Sequence, residues 1–318
     1  MSIKVSILIP IFRVEKYVEE CLRSVFEQTY ENIEYVLVND ATPDNSMQVV
    51  RDIIMKYPKR KQSVIVLENE TNKGIAFTRN RLLQNASGDF IYFVDSDDFI
   101  EKETVEKFVD AVQNSDVDIV RCNHFRYDQG KITTILRTPL KEGEDLLTHC
   151  LASENAMTFL PLLLIRRSLF VDNDISFPED VKACEDFLIS VKLFYYTKKL
   201  ADIPDALYYY RMENTQSITH NEKMFKINAC RSFEKIEEFL KEKGIYEQYK
   251  ENLLRQMFTC KQSFLVSKSS RDINRYISTF PESSKCYKSF NYSKKQNLLF
   301  YLAEHKHILL LKLLCKIA

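Results

Sequence analysis

Two hydrophobic patterns alternate along the first hundred residues. Ile3 to Ile9 is a mainly β-branched and apolar run, interrupted by Lys4 and Ser6, as expected of a strand buried on both faces. Glu15 to Glu27 then takes helical spacing, with Val18, Leu22, Val25 and Phe26 on one face. Tyr35 to Val38, Val64 to Leu67 and Phe90 to Val94 repeat the strand pattern. Between them, Asp44 or Ser46 can cap a helix carrying Met47, Val50, Ile53 and Ile54, and Ile75 to Leu83 reads as the next helix. A further helix opens at Glu101 and runs through Val112. The order βαβαβαβα predicts an α/β fold with a doubly wound, mainly parallel sheet and helices on both faces. Ligands of such sheets bind beyond the carboxyl ends of the strands. Those ends fall around Pro10, Asp40, Asn69 and Asp95.

The middle of the chain is less regular. Val117 to Tyr127 and Lys131 to Arg137 form a candidate hairpin around Asp128-Gln129-Gly130, with Phe187 to Tyr195 as a helix and Leu207 to Tyr210 as a strand. From about Glu222 the pattern is helical, with long amphipathic stretches at Phe225 to Lys243 and Tyr246 to Ser267. A soft boundary is expected near residue 221, dividing residues 1–221 from a helical C-terminal region, 222–318.

Composition narrows the possibilities. With 45 basic and 45 acidic residues in 318, the chain lacks the basic excess of a nucleic-acid binder. Its eight cysteines are scattered singly without a CxxC pair, which suggests reduced thiols in a cytosolic protein. The opening MSIKVSILIPIF is too short an apolar run for a leader, and no stretch of about 18 apolar residues predicts a membrane span.

At the fourth strand end stands Asp95-Ser96-Asp97-Asp98. Oxygen ligands so concentrated suit a hard divalent cation, Mg²⁺ or Mn²⁺, that completes its shell with water and phosphate. An acidic turn capping the helix near Glu101 is the plainer alternative. Asp40, at the second strand end, is placed to accept hydrogen bonds from a base or ribose, or else belongs to a polar β-to-α turn.

Longer segments carry a resemblance. IPIFRVEKYVEECLRSVFEQTYENIEYVLVNDATPDNS resembles the opening of family 2 glycosyltransferases. Asn72 to Asn80 is similar to their Asn-x-Gly-x-x-x-x-Arg-Asn segment, and Gly88 to Asp98 to their Gly-x-(Tyr/Phe)-x-x-Phe-x-Asp-x-Asp-Asp segment. The match is dense across residues 3–112 and continues to about residue 220. It departs from the pattern at Arg13, Asn39, Ala41 and in Phe159 to Arg167, near the nucleotide rim and the acceptor side.

The resemblance implies a GT-A-like catalytic domain over 1–221, with a nucleotide-sugar half (1–112) and an acceptor half (113–221). It implies an inverting, metal-dependent transfer of a hexose or N-acetylhexosamine from a nucleotide-diphosphate sugar, commonly a UDP-sugar, to a surface glycan. Pro10, Phe12 and Glu15 would line the nucleotide pocket, beside Asn72, Gly74 and Ser96. Asp40 would contact the base, Arg79 would help hold the nucleotide, and Asp95 would reach the ribose or phosphates. Asp97 would ligate Mn²⁺ or Mg²⁺, with Asp98 and His220 in support. Arg211 would partner the diphosphate. Asp186, with Glu185 as neighbouring candidate, would be the base that activates the acceptor hydroxyl.

Two other classes are weighed against this. A nucleotidyltransferase would carry a glycine-rich phosphate loop where Pro10 to Glu15 stands without glycine. A non-catalytic nucleotide-sugar or glycan-binding module would not need both an acidic metal motif and a separate base. From Lys285 onward seven lysines face a single acid, Glu304, and alternate with leucines. Such a basic, apolar stretch either lies on an anionic membrane surface, which suits a lipid-linked saccharide acceptor, or packs on the catalytic domain or in a homodimer.

Overall fold

The computed structural model describes residues 2–141, 143–152, 159–214, 222–265 and 270–311. The strands are β1 (Val5–Ile11), β2 (Ile33–Asn39), β3 (Val64–Glu68), β4 (Phe90–Phe93), β5 (Phe99–Ile100), β6 (Ile119–Asp128), β7 (Lys131–Ile135), β8 (Leu163–Arg166) and β9 (Leu200–Arg211). Helices α1 (Val18–Phe26), α2 (Ser46–Lys56), α3 (Pro58–Lys61), α4 (Ile75–Gln84) and α5 (Thr104–Ser115) belong to the first half. They are followed by α6 (Leu146–Ala152), α7 (Arg167–Asp172) and α8 (Glu185–Tyr196). The remaining helices are α9 (Glu222–Glu242), α10 (Tyr246–Gln262), α11 (Ser270–Ser278) and α12 (Lys294–Glu304).

One sheet runs in the order β3-β2-β1-β4-β8-β6-β9-β5, with β7 paired to β6. The pairs β2–β3, β1–β2 and β1–β4 are parallel, so the first half is a four-stranded parallel block. The second half is mixed: β8 runs antiparallel to both β4 and β6, while β6 and β9 are parallel. Side chains alternate across the sheet as the two-residue period of a strand requires. Ile7, Ile9, Tyr35, Leu37 and Tyr92 share a core with α1, α2 and α5. Leu8, Val36, Val38, Ile91 and Phe93 share another with α6, α8, α9 and α10 on the opposite face. A third, smaller core gathers Phe258, Phe264, Tyr276, Phe300 and Leu311.

Several elements differ from the sequence expectation. β8 was not expected, although Leu163, Leu164 and Ile165 are fully buried in mid-sheet. Its short leucine run has a weak strand preference, and burial between two antiparallel neighbours decides its state. β9 begins seven residues earlier than expected, because Asp202 and Pro204 mask its pattern. The register to β6 shifts between Arg121 and His124, and Asn123 Nδ2 donates to the Pro204 carbonyl at 2.6 Å, so the proline sits at an irregularity that tolerates it. The helix expected from Glu101 starts at Thr104, since Phe99 and Ile100 are drawn into the sheet against Tyr209 and Tyr208.

Candidate active site

The carboxyl ends of β1, β2 and β4 open on one edge of the parallel block. Asp40 follows β2 and is almost fully buried. Its Oδ1 accepts from Asn69 Nδ2 at 2.7 Å and from the Lys73 amide at 2.8 Å, and its Oδ2 accepts from the Gly74 amide at 2.9 Å. Asn72 Nδ2 reaches the Asp40 carbonyl at 3.4 Å. Asp40 thus ties the β2 end to the loop that starts α4. Gly74 caps that helix at φ 86°, ψ 169°, a region open essentially to glycine alone. At the β1 end, Phe12 is partly exposed with the Arg13 guanidinium 5.3 Å above its ring, and Pro10 lies in register with Val38. Glu15 accepts from the Asn45 amide at 3.0 Å. Arg13, Glu15, Tyr17, Asp44 and Asn214 line an open cavity of about 250 Å³.

One turn into α4 lies Arg79, with 3% of its surface exposed. Its Nη2 donates to Asp95 Oδ1 at 3.0 Å, and its Nη1 to Glu185 Oε1 at 2.9 Å and to Asp186 Oδ1. The guanidinium also stands 5.9 and 5.7 Å from the rings of Phe93 and Phe177. Its buried Nε finds no hydrogen-bond partner among the described residues. Next to it, Asn80 exchanges two hydrogen bonds of 2.7 Å with the Phe177 backbone, fixing the loop that leads to Asp186. One helix therefore brings the acidic motif of β4 to the carboxylates that open α8, 107 residues away from Arg79.

The motif itself is a tight turn, closed by the Asp98 amide on the Asp95 carbonyl at 3.0 Å. Ser96 is buried within it. Asp97 accepts from Asn214 Nδ2 at 2.8 Å. Asp98 is buried deeper, with Oδ2 bound by the Tyr208 hydroxyl at 2.6 Å and Oδ1 by the Arg211 amide at 2.8 Å. Arg211 turns its guanidinium to the Asp97 carbonyl (Nε, 2.8 Å) and to Glu20. It is packed 5.3, 5.2 and 5.0 Å from the rings of Tyr17, Phe99 and Tyr127. His220 lies outside the described residues.

Charge is concentrated here. Burial raises the Asp97 carboxyl above its usual range, helped by the negative charge of Asp95 and opposed by Asn214. Burial raises Asp98 further, together with Asp97 and Asp95. Asp186 is pushed up to about 7, first by burial and then by Glu185 and Asp95, against the pull of Arg79. For Arg79, burial disfavours the charge, but Asp186, Asp95 and Glu185 outweigh it and keep the guanidinium ionised. Among the described residues no three Asp, Glu, His or Cys side chains form a ready-made metal cage. A cation held by one or two carboxylates and completed by phosphates needs no such cage, and the excess negative charge of the Asp95–Asp98 turn suits one.

Sequence reasoning did not single out Asn214 or Glu20 as parts of this site; Asn80 stood in the Asn72–Asn80 segment and Tyr208 in an expected strand, both without a role. Their partners are distant in the chain, so no local spacing reveals them. Asn69 stood at an expected strand end, and that position was its signal.

The family model described as glycosyl transferase family 2 matches residues 6–173. The chain belongs to this family. It is 30% identical over 223 residues to the uncharacterized glycosyltransferase EpsJ of Bacillus subtilis (strain 168), covering 68% of this chain and 62% of that protein. It is 34% identical over 213 residues to the poly(ribitol-phosphate) β-N-acetylglucosaminyltransferase TarS of Staphylococcus aureus (strain Mu50 / ATCC 700699), covering 65% of this chain and 35% of TarS. The chain thus spans under two thirds of either relative's length. The crystal structure of TarS 1-349 in complex with UDP superposes with a TM-score of 0.58 at 22% identity, covering 98% of this chain and 90% of that one. The mannosyltransferase PcManGT from Pyrobaculum calidifontis, in complex with GDP-Man and Mn²⁺, gives 0.58 at 16% identity, covering 99% and 85%. Both share the α/β fold described above.

Proposed function

We propose that this chain is an inverting glycosyltransferase. It moves a hexose or N-acetylhexosamine from a UDP-sugar to a saccharide acceptor in surface-glycan synthesis, and depends on Mn²⁺ or Mg²⁺. The observation that carries the reading is the Arg79 junction, which joins Asp95 on the donor side to Asp186 and Glu185 on the acceptor side. The sugar-transfer activities named for the relatives support the reaction class.

The roles follow from the chemistry of each group. Asp40 Oδ2 accepts a single amide within the protein, which leaves capacity for the N–H of a uracil base. Phe12 offers a ring face beside it, and Pro10, Glu15, Asn72, Gly74 and Ser96 shape the surrounding walls. Arg79, through its Nη2 bond to Asp95, would position that carboxylate for the ribose or phosphates. Asp97 would hold the cation, with His220 a further candidate ligand. Asp98, held by Tyr208 and the Arg211 amide, keeps the turn rigid. Arg211 meets the diphosphate's charge and anchors the Asp97 carbonyl. When bound, the cation neutralises the charge that develops on the diphosphate leaving group. Asp186 takes the proton of the acceptor hydroxyl as that oxygen attacks the anomeric carbon from the face opposite the diphosphate. Glu185 shares Arg79 with it and keeps the base oriented. A single displacement inverts the anomeric configuration.

A thermal-shift panel of nucleoside diphosphates and UDP-sugars, with and without Mn²⁺, tests the donor site. Specific binding raises the melting temperature by mass action. A metal-dependent UDP shift that Asp97→Ala abolishes and Asp186→Asn retains, while Asp186→Asn alone stops sugar transfer, is the expected outcome. Absence of any nucleotide shift in folded protein would turn the reading toward a glycan-binding module.

A further inference from the structure

One face of α12 is exposed. Lys294, Leu298, Tyr301 and His305 recur at helical spacing along its exposed side, while Phe300, Leu302 and Ala303 face the third core. A capping box at Ser293 and Gln296 fixes the start of the helix. After a left-handed residue at Lys306, a further helical turn opens at Ile308. There Leu309 and Leu310 are 85% and 55% exposed, while Leu311 is buried. Two adjacent leucines open to solvent, in the turn that follows a helix with Leu298 and Tyr301 half exposed, are an unusual surface for a protein.

The charge around this strip has one sign. Lys294, Lys295 and Lys306 are all exposed. Glu304, the lone acid from Lys285 onward, is mostly buried and lies 3.7 Å from the Lys288 ammonium. Apolar side chains ringed by lysines complement a surface that is negative outside and apolar beneath, which describes a bilayer of anionic lipids. A second copy fits less well, because face-to-face pairing would oppose the same lysines. Among the described residues no helix is long and apolar enough to cross a membrane, so the contact is one of lying on the surface.

We propose that the strip formed by α12 and the turn after it seats on an anionic lipid bilayer, with Leu298, Leu309 and Leu310 at the headgroup–acyl boundary and the lysines on lipid phosphates. This reading is independent of the donor assignment, since vesicle binding and nucleotide binding are measured separately. The test is co-sedimentation of the full chain with vesicles of phosphatidylcholine alone, or with one third phosphatidylglycerol. Sedimentation velocity in the absence of lipid accompanies it. Binding to the anionic vesicles is expected, with little to the neutral ones. Lys294→Ala with Lys295→Ala should weaken it about fivefold per lysine, and Leu309→Ser with Leu310→Ser by about tenfold or more. Each variant alters only exposed side chains and should keep the wild-type melting temperature. Failure to bind anionic vesicles, or binding that both double variants leave unchanged, overturns the proposal. So does a dimer that dissociates in the leucine variant, which would give the strip to a second copy.

Discussion

A guanidinium that meets three carboxylates cannot neutralise them all, and Arg79 meets Asp95, Glu185 and Asp186 at once. Burial first, and then the negative charge of Glu185 and Asp95, raise the affinity of Asp186 for its proton against the pull of Arg79. As the proposed base, Asp186 must be ionised to act, so transfer activity should fall as pH drops through about 7. The pH profile of kcat/KM, taken at constant metal, checks this. Stability should respond in the opposite sense. The unfolded chain loses this proton near the usual carboxylate range, while the folded protein keeps it to about 7. Over that interval the folded state binds more protons, and its stability declines as pH rises. Asp186→Asn removes that cost. Its melting temperature should exceed that of wild type at pH 8 and approach it at pH 5, although sugar transfer is lost by a factor of about 10² to 10⁴. A lower melting temperature at pH 8 would show that pairing with Arg79 outweighs burial. Glu34, on a central strand, behaves in the reverse way. Burial alone would raise it, but Lys4, Ser6 and Ser87 together lower it to about 2. Its stabilisation is complete above the unfolded carboxylate value and is lost as pH falls toward 2. Glu34→Gln should destabilise by about 1–3 kcal/mol at pH 6, with the gap to wild type narrowing toward pH 3 in denaturant titrations.

At the scale of elements, the site depends on how α4 is started. Asp40 accepts the amides of Lys73 and Gly74, and Gly74 takes a conformation that a side chain opposes. A Cβ at position 74 would meet no atom within 4 Å, so the cost of Gly74→Ala is one of backbone alone. It should amount to about 1–3 kcal/mol. Because the same turn aims Arg79, the affinity for UDP, read by calorimetry, should weaken as well. Unchanged affinity would mean that α4 keeps its direction without this turn. The two halves of the site were unequally legible in the sequence. The parallel block could be read because β1, β2 and β4 are buried on both faces and appear as mainly apolar runs. Their ends then located Asp40 and Asp95. β8 and the start of β9 escaped, since a leucine triplet and an Asp-Ile-Pro-Asp stretch become strands only through their neighbours. The Arg79–Asp186 contact spans 107 residues, and the Asn214–Asp97 contact 117. No period in the chain encodes such distances. Asp186 was reached through resemblance, and Asn214 was not reached.

At the scale of the molecule, the question is whether residues beyond 221 serve the site or merely follow it. The packing of α9 argues for service. Phe233, Ile236 and Leu240 are buried in the same core as α8 and the β4 residues Ile91 and Phe93. Ser232 Oγ donates to the Ala183 carbonyl at 2.6 Å, and Arg231 pairs with Asp180 at 2.8 Å. Both contacts grip the segment that delivers Glu185 and Asp186. The Phe187 and Phe233 rings lie 5.9 Å apart, one residue beyond Asp186. Phe233→Ala should therefore cost about 3–5 kcal/mol in stability, as a large ring lost from a core does. Ser232→Ala is the more informative change, since it removes one buried bond, worth about 1 kcal/mol, from the segment before Asp186, the proposed base. It should lower kcat more than the affinity for UDP, because the bond it removes is made to the Ala183 carbonyl, before the proposed base, and not to the proposed donor residues on β1, β2 and α4. Equal losses in kcat and UDP affinity would instead mean that α9 supports the fold as a whole. A fragment ending at residue 221 would leave the faces of α8 and β4 without their cover, and is expected to be recovered unfolded or aggregated.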